Sequence, residues 1–201
     1  MQQKARSLAA VAQQVKVPAA AIVPNIKLRA IAIRGLTFGD DNLSRMDILA
    51  DALNKIPGVA CKVESEGLLN YENLSSIEAE LLAWARAGSQ LGIIGHSMGA
   101  DEVWKLAALL EDRNIKIAVA ASIDPTNWDQ PLGGWPVPAT VAAAGNFYQD
   151  FPPGGGQIVL APGNTTTMLY QERRADPHVG IERDPVIKWI VDQIGAQVPI
   201  A

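Results

Sequence analysis

One short segment constrains the fold of this chain more than any other. An apolar run at residues 90–94 (Gln-Leu-Gly-Ile-Ile) leads directly into residues 95–99 (Gly-His-Ser-Met-Gly), and a helical pattern occupies 98–113. A strand that turns into a helix at a single residue holds that residue in a strained conformation, so the positions two before and two after it must be small. The turn exposes a hydroxyl at the carboxyl edge of a sheet, beside the positive end of a helix dipole. The segment therefore predicts an α/β fold with Ser97 as a candidate nucleophile.

The rest of the chain alternates between strand-like and helix-like patterns. The predicted strands lie at 28–34, 59–64, 90–94, 115–123, 140–148 and 157–160, and the predicted helices at 43–55, 75–87, 98–113 and 184–194. The run at 115–123 is almost wholly apolar, which is typical of a parallel strand covered on both faces. Strand and helix in this order predict a three-layer α/β/α sandwich with a mostly parallel central sheet. Residues 125–138 are expected to form a long loop.

The first 26 residues differ in composition from the remainder of the chain. They are rich in Ala and Gln and contain Pro18 and Pro24, so we expect an N-terminal arm before a single domain over 27–201. The arm either docks on the surface or attaches the protein to a larger assembly. Its apolar stretch at 8–12 is succeeded at once by polar residues and Lys16, so we predict no functional secretion signal. An export signal removed upstream would be compatible with this sequence.

Charge and cysteine content exclude several classes of function. The formal net charge is −4 and the sequence pI is near 5.2, which argues against nucleic acid as a partner. A single cysteine, Cys61, excludes an internal disulfide and any zinc site built on several thiolates. No apolar run approaches the length that spans a bilayer.

A serine hydroxyl is a weak nucleophile unless a base takes its proton. The chain contains only two histidines, His96 and His178. His96 adjoins Ser97 in the turn and should point to another side, where we expect it to pack or form hydrogen bonds. His178 comes after the last predicted strand and precedes the last helix, which completes the chain order Ser, acid, His. His178 is therefore the candidate base.

Three aspartates are candidates for the acid that orients the base. Asp124 comes directly after the apolar run at 115–123, so it should lie at the same sheet edge as Ser97; its alternative role is to cap the turn. Asp176 is the second candidate, although two residues from His178 it would more easily cap the loop. Asp150 is the third. We predict Asp124.

The oxyanion hole and the substrate pocket are predicted from position in the chain. Two backbone N–H groups are expected to stabilise an oxyanion, that of Met98 and that of Leu36, with Thr37 as the near alternative to Leu36. The long loop supplies Trp128 and Trp135, with Leu132 and Val137, for one wall of an apolar acyl site; Phe38 and Met98 would line the rest. The alternative is that these tryptophans cover the end of the sheet.

With these residues in place, the chain resembles the α/β-hydrolase superfamily over about residues 27–196. More narrowly, it looks like the short, lidless, cutinase-sized and thioesterase-like serine hydrolases of bacteria and their phages. The matching stretches are 33–36 (Ile-Arg-Gly-Leu), 94–100 (Ile-Gly-His-Ser-Met-Gly-Ala), 123–126 (Ile-Asp-Pro-Thr), 137–138 (Val-Pro), 146–149 (Asn-Phe-Tyr-Gln) and 178–181 (His-Val-Gly-Ile). The resemblance implies hydrolysis of a small-molecule or lipid-like ester or thioester through an acyl-enzyme, with no metal or organic cofactor. The acid lies one strand earlier than in the commonest arrangement of the superfamily.

Three other functions stay open on the sequence. A catalytically silent binding or structural module would keep the fold and lose activity. An amidase or acyltransferase would use the same three residues, because their arrangement does not determine the leaving group. An esterase that acts on envelope lipids during cell lysis would need a route of delivery.

Overall fold

The computed structural model describes residues 26–35, 45–64, 71–126, 130–151, 154–178 and 184–198. Within these ranges the helices are α1 (Met46–Leu53), α2 (Tyr71–Arg86), α3 (Met98–Glu111) and α4 (Asp184–Gln197). The strands are β1 (Leu28–Ile33), β2 (Val59–Glu64), β3 (Gln90–His96), β4 (Ile117–Ile123), β5 (Trp135–Val137), β6 (Val141–Tyr148), β7 (Ile158–Leu160) and β8 (Met168–Arg173). The predicted arm falls outside these ranges except for Ile26.

Six strands form one parallel sheet in the order β2-β1-β3-β4-β6-β8. Because every neighbouring pair is parallel, the carboxyl ends of all six strands meet at one edge. Strands β5 and β7 form a separate parallel pair. The main sheet confirms the predicted mostly parallel central sheet.

Helices cover both faces of this sheet, and each face has its own apolar core. Alternate residues of β1 point in opposite directions: Ala30 and Ala32 pack with α1 and α4, whereas Ile31 and Ile33 pack with α2 and α3. Full burial of one large aliphatic side chain in these cores contributes about 1.5–3 kcal/mol. Because two helices pack on each face of the sheet, the predicted three-layer α/β/α sandwich is confirmed.

Two strands of the structure were not predicted from the sequence. Strand β8 escaped prediction because most of its side chains are half-buried or exposed, as suits an edge strand, and half of its residues are polar. Strand β5 lies inside the predicted loop at 125–138, where its three residues are too short a run to show a period. The predicted strand at 157–160 pairs with β5 rather than joining the main sheet.

Helix boundaries shifted by up to one turn. Helix α2 begins at Tyr71, four residues before the predicted start, and Gly88 lies just beyond its end with a φ of 85°. Only glycine adopts that left-handed conformation without strain, and such a glycine typically follows the last turn of a helix. In the described part of the chain, no helix is long and apolar enough to cross a membrane.

Candidate active site

Ser97 is the single residue between β3 and α3. Its φ of 56° and ψ of −123° are strained values for a residue with a side chain. A methyl group on Gly95 would overlap the carbonyl group of Gly99, and one on Gly99 would lie 2.5 Å from the Ile33 carbonyl oxygen. Both glycines are therefore sterically required, which explains their spacing around Ser97.

The pairing of β3 with β4 brings Ser97 close to Asp124. His96 lies opposite Ile123 in the parallel register, so Ser97 and Asp124 are the next residues of adjacent strands. The Ser97 amide donates to the Ile123 carbonyl over 2.9 Å. Because Asp124 comes directly after β4, it lies beside Ser97, which comes directly after β3.

His178 joins the two residues. Its Nε2 atom lies 2.8 Å from Ser97 Oγ, and its Nδ1 atom lies 2.6 Å from Asp124 Oδ2. Because the carboxylate can only accept, Nδ1 carries the proton and Nε2 accepts from the hydroxyl. The Asp124 side chain is fully buried, and that of His178 is 17% exposed. The three residues form one hydrogen-bonded series, called here the Ser-His-Asp array.

The other two candidate acids have different partners. Asp176 accepts two hydrogen bonds from the Arg174 guanidinium, at 2.9 and 3.0 Å. Asp150 pairs with Arg173 on the surface. Of the three aspartates, Asp124 is the one whose carboxylate meets the His178 ring.

Backbone groups surround the second oxygen of Asp124. Its Oδ1 atom accepts from the Gln149 amide over 3.1 Å and from the Gly155 amide over 3.3 Å. A methyl group on Gly154 would lie 2.5 Å from the carboxylate carbon. These backbone donors stabilise a buried negative charge. Their role was not predicted from the sequence, although the run of three glycines at 154–156 was a visible signal of close backbone approach.

His96 lies beside the array and is 5% exposed. Its Nε2 atom is 3.1 Å from the His178 carbonyl oxygen, and the two rings are 5.1 Å apart. Since a carbonyl only accepts, His96 donates from Nε2. The structure thus places His96 where the sequence predicts it, at a packing and hydrogen-bonding position.

A buried pair links the turn that carries Asp124 to helix α3. The Thr126 hydroxyl donates to the Asp101 carboxylate, and both side chains are at most 4% exposed. Asp101 lies in the first turn of α3, and Thr126 lies two residues after Asp124. The pair, which was not predicted from the sequence, ties the turn that carries Asp124 to the helix that begins after Ser97.

Hydrogen bonds and ion pairs connect the side chains of residues 170–176, the segment that leads to His178. Hydrogen bonds from Tyr170 and then from Arg174 lower the pKa of Glu172. The hydrogen bond to Glu172, together with that to Asp176, raises the pKa of Arg174. Arg174 therefore remains a cation between two carboxylates and fixes the approach of the chain to His178.

Gly35, two residues after the end of β1, lies close to Ser97. A methyl group there would lie 2.5 Å from Ser97 Cβ and 3.2 Å from Ser97 Oγ. Met98, one expected oxyanion donor, is the first residue of α3, where backbone N–H groups have no acceptor within the helix. The expected second donor Leu36, its alternative Thr37, and the expected pocket residues Phe38 and Trp128 lie outside the described residues.

The structure places Trp135 in the core. The residue is 6% exposed and belongs to the apolar cluster beneath α2 and α3, and the Lys105 ammonium lies 5.8 Å from the ring centre. Val137 is buried in the same cluster, whereas Leu132 is fully exposed. Trp135 is thus a core residue, whereas the alternative in which both tryptophans cover the end of the sheet stays a prediction, because Trp128 lies outside the described residues.

Comparison with known proteins gives a likeness in structure alone. No family model and no curated protein matches the chain. RedJ, a thioesterase of the prodiginine pathway in Streptomyces coelicolor, is 12% identical; the match covers 86% of this chain and 91% of RedJ, with a TM-score of 0.54. Human thioesterase 2 is 10% identical over 86% of this chain and 99% of its own, also with a TM-score of 0.54. The esterase domain of a Rhodothermus marinus protein is 13% identical over 87% of this chain and 88% of its own, with a TM-score of 0.50.

The chain has an α/β-hydrolase fold. At 10–13% identity these neighbours establish the architecture, and their names describe their own activities. In an α/β-hydrolase fold a nucleophile between a strand and a helix lies at the carboxyl edge of the sheet. Ser97 occupies that position here.

Proposed function

We propose that this protein is a serine hydrolase that cleaves carboxylic ester or thioester bonds through an acyl-enzyme. One observation carries the proposal: the hydrogen-bonded series from Ser97 Oγ through His178 to Asp124, with Ser97 in the strained strand-to-helix turn. The fold that the chain shares with thioesterases and an esterase supports the same class of reaction.

In the first step, Ser97 Oγ attacks the carbonyl carbon of the substrate while His178 Nε2 takes the hydroxyl proton. The resulting imidazolium is stabilised by Asp124, which accepts from Nδ1. His178 then gives the proton to the departing alcohol or thiol, and the acyl group remains on Ser97.

The negative charge that develops on the carbonyl oxygen needs donors on the side away from His178. The N–H of Met98 at the start of α3 is one proposed donor, favoured by the positive end of the helix dipole. The second, on the sequence, is the N–H of Leu36. Gly35 leaves the space beside Ser97 free of any side chain of its own, which supports access of a carbonyl oxygen to this region.

The second half of the reaction repeats the first with water. His178 takes a proton from water, the hydroxide adds to the acyl carbon, and the bond to Ser97 Oγ breaks as His178 returns the proton to the serine. Over both halves, the reaction consumes one water and releases a carboxylic acid and an alcohol or thiol.

Replacement of Ser97 by Ala tests this proposal. We expect Ser97→Ala to abolish turnover of p-nitrophenyl butyrate and covalent labelling by a fluorophosphonate probe. The matched control is Ser89→Ala, just before the other end of the same strand, which should retain both. Turnover that survives in Ser97→Ala, or a folded wild type that neither labels nor hydrolyses any ester or thioester of a graded chain-length series, would contradict the proposal.

A further inference from the structure

A row of polar side chains crosses the sheet just before its carboxyl edge. Ser122 on β4 lies opposite Asn146 on β6, and Asn146 lies opposite Gln171 on β8. Ser122 and Asn146 are fully buried. Burial of an amide and a hydroxyl in a sheet is costly unless each polar atom is hydrogen-bonded.

Both the oxygen and the nitrogen of the Asn146 side-chain amide form hydrogen bonds in this row. Its Oδ1 accepts from Ser122 Oγ over 2.7 Å, and its Nδ2 donates to Gly156 O over 3.1 Å and to Gln171 Oε1 over 3.3 Å. Gln171 Oε1 also accepts from the Ile158 amide over 3.3 Å. The backbone groups at 156 and 158 have fixed polarity, so they determine the orientation of both side-chain amides. The row is thus specified by the segment 156–158.

The residues just before this segment, 154 and 155, pack against Asp124 and bind it. Gly155 donates to Asp124 Oδ1, and Gly154 lies against the carboxylate. The Gly156 amide donates to the carbonyl of Pro125, the residue after Asp124, over 2.9 Å. The position of residues 154–156 therefore sets one of the two backbone donors to the buried carboxylate, the Gly155 amide, and the packing of Gly154 against it.

We propose that Asn146 is a positioning residue for the reaction proposed above. Through its hydrogen bond to Gly156 it holds the segment 154–156 against Asp124, and the segment holds the Asp124 carboxylate in the position from which it contacts His178. Asn146 touches neither His178 nor Ser97; it acts through Asp124. The inference rests on the proposed function, because it assigns Asn146 a role in that reaction.

A double-mutant cycle on kcat/KM for p-nitrophenyl butyrate tests this inference. We expect Asn146→Ala to lower kcat/KM about tenfold, since the loss of a bond to a buried carbonyl frees the segment that Asp124 depends on. If Asn146 acts through Asp124, the same substitution in an Asp124→Asn background should lower the residual rate by less than about twofold. Equal effects in the two backgrounds would overturn the inference.

Two controls separate positioning from loss of stability. Val141→Ala removes buried volume at the far end of β6, so it should lower the melting temperature and leave kcat/KM within about twofold at a temperature where the protein is folded. Gln171→Ala, on the exposed edge strand, should reproduce the coupling to Asp124 with a smaller effect, and it tests the inference if Asn146→Ala does not fold. Additive behaviour of Gln171→Ala would then contradict the inference.

Ser97→Ala keeps the two proposals distinct, because persistence of turnover in that variant overturns the function, whereas additivity in the cycle overturns the role of Asn146 alone.

Discussion

His96 Nε2 donates to the carbonyl oxygen of His178 over 3.1 Å, so the residue before Ser97 in the chain is bonded to the residue whose ring contacts Ser97. His178 comes after β8, which is separated from β3 by two strands of the sheet. The chain after β8 therefore has to return across β6 and β4 to reach Ser97. The hydrogen bond from His96 holds His178, at the end of this returning segment, beside Ser97.

Loss of the His96 donor should weaken the reaction without unfolding the protein. His96→Phe keeps a flat ring beside His178 and removes the N–H, so we expect about a tenfold fall in kcat/KM for an ester substrate. His96→Gln keeps a donor and should retain more activity than His96→Phe. Steady-state kinetics of the two variants, with circular dichroism to verify folding, provide the measurement. Wild-type kinetics in folded His96→Phe would show that the bond does not matter.

Three isosteric substitutions distinguish the candidate acids. Asp124→Asn removes the charge that stabilises an imidazolium, so we expect kcat to fall by about three to four orders of magnitude. Asp150→Asn breaks an exposed pair with Arg173 and should change kcat by less than about twofold. Asp176→Asn weakens the contact with Arg174 and should have an intermediate effect. A larger loss in Asp176→Asn than in Asp124→Asn would reject Asp124 as the acid.

Gly35 and Gly195 form a matched pair for a test of steric access. A methyl group on Gly35 would lie 2.5 Å from Ser97 Cβ, so Gly35→Ala should abolish most ester hydrolysis. A methyl group on Gly195 meets nothing within 4 Å in α4, so Gly195→Ala should leave activity unchanged. It should also raise stability by roughly 0.5–1 kcal/mol, because alanine favours a helix interior over glycine. Activity assays and thermal melts of both variants check these outcomes; full activity in Gly35→Ala would show that the close contact is not needed.

Cys61 should resist thiol reagents while the protein is folded. Burial raises the pKa of its thiol to about 12 from an ordinary value of 9.0, and the side chain is 8% exposed. Since the thiolate is the reactive form, a shift of this size lowers the reactive fraction at pH 8 about a thousandfold. We expect negligible reaction with Ellman's reagent in buffer and one thiol per chain in guanidinium chloride. Rapid reaction of the folded protein would show that β2 opens readily.

Consecutive residues were enough to predict the turn around Ser97. The requirement for glycine at 95 and 99 comes from contacts within the turn and with the adjacent strand end, and the apolar run before the turn and the helical pattern after it are periodic signals. The predicted place of Asp124 had a similar origin, because the end of one parallel strand lies beside the end of the next. The central sheet was predictable from the order of these elements, whereas β8 was missed because an edge strand buries few side chains.

What the tertiary structure alone decided is how distant residues meet. His178 contacts Asp124 across 54 positions and Ser97 across 81, and Asn146 meets Gly156 through a row that exists only when β4, β6 and β8 lie side by side. The partners of Asp150 and Asp176, and the burial of Trp135, were likewise set by the packing of separate elements. Sequence by itself determined the Ser97 turn, because a strand, a single strained residue and a helix are all written in consecutive positions. The donors around Asp124 needed the folded chain: the glycines at 154–156 indicate close backbone approach, but only the packing of separate segments brings the Gln149 and Gly155 amides to the carboxylate.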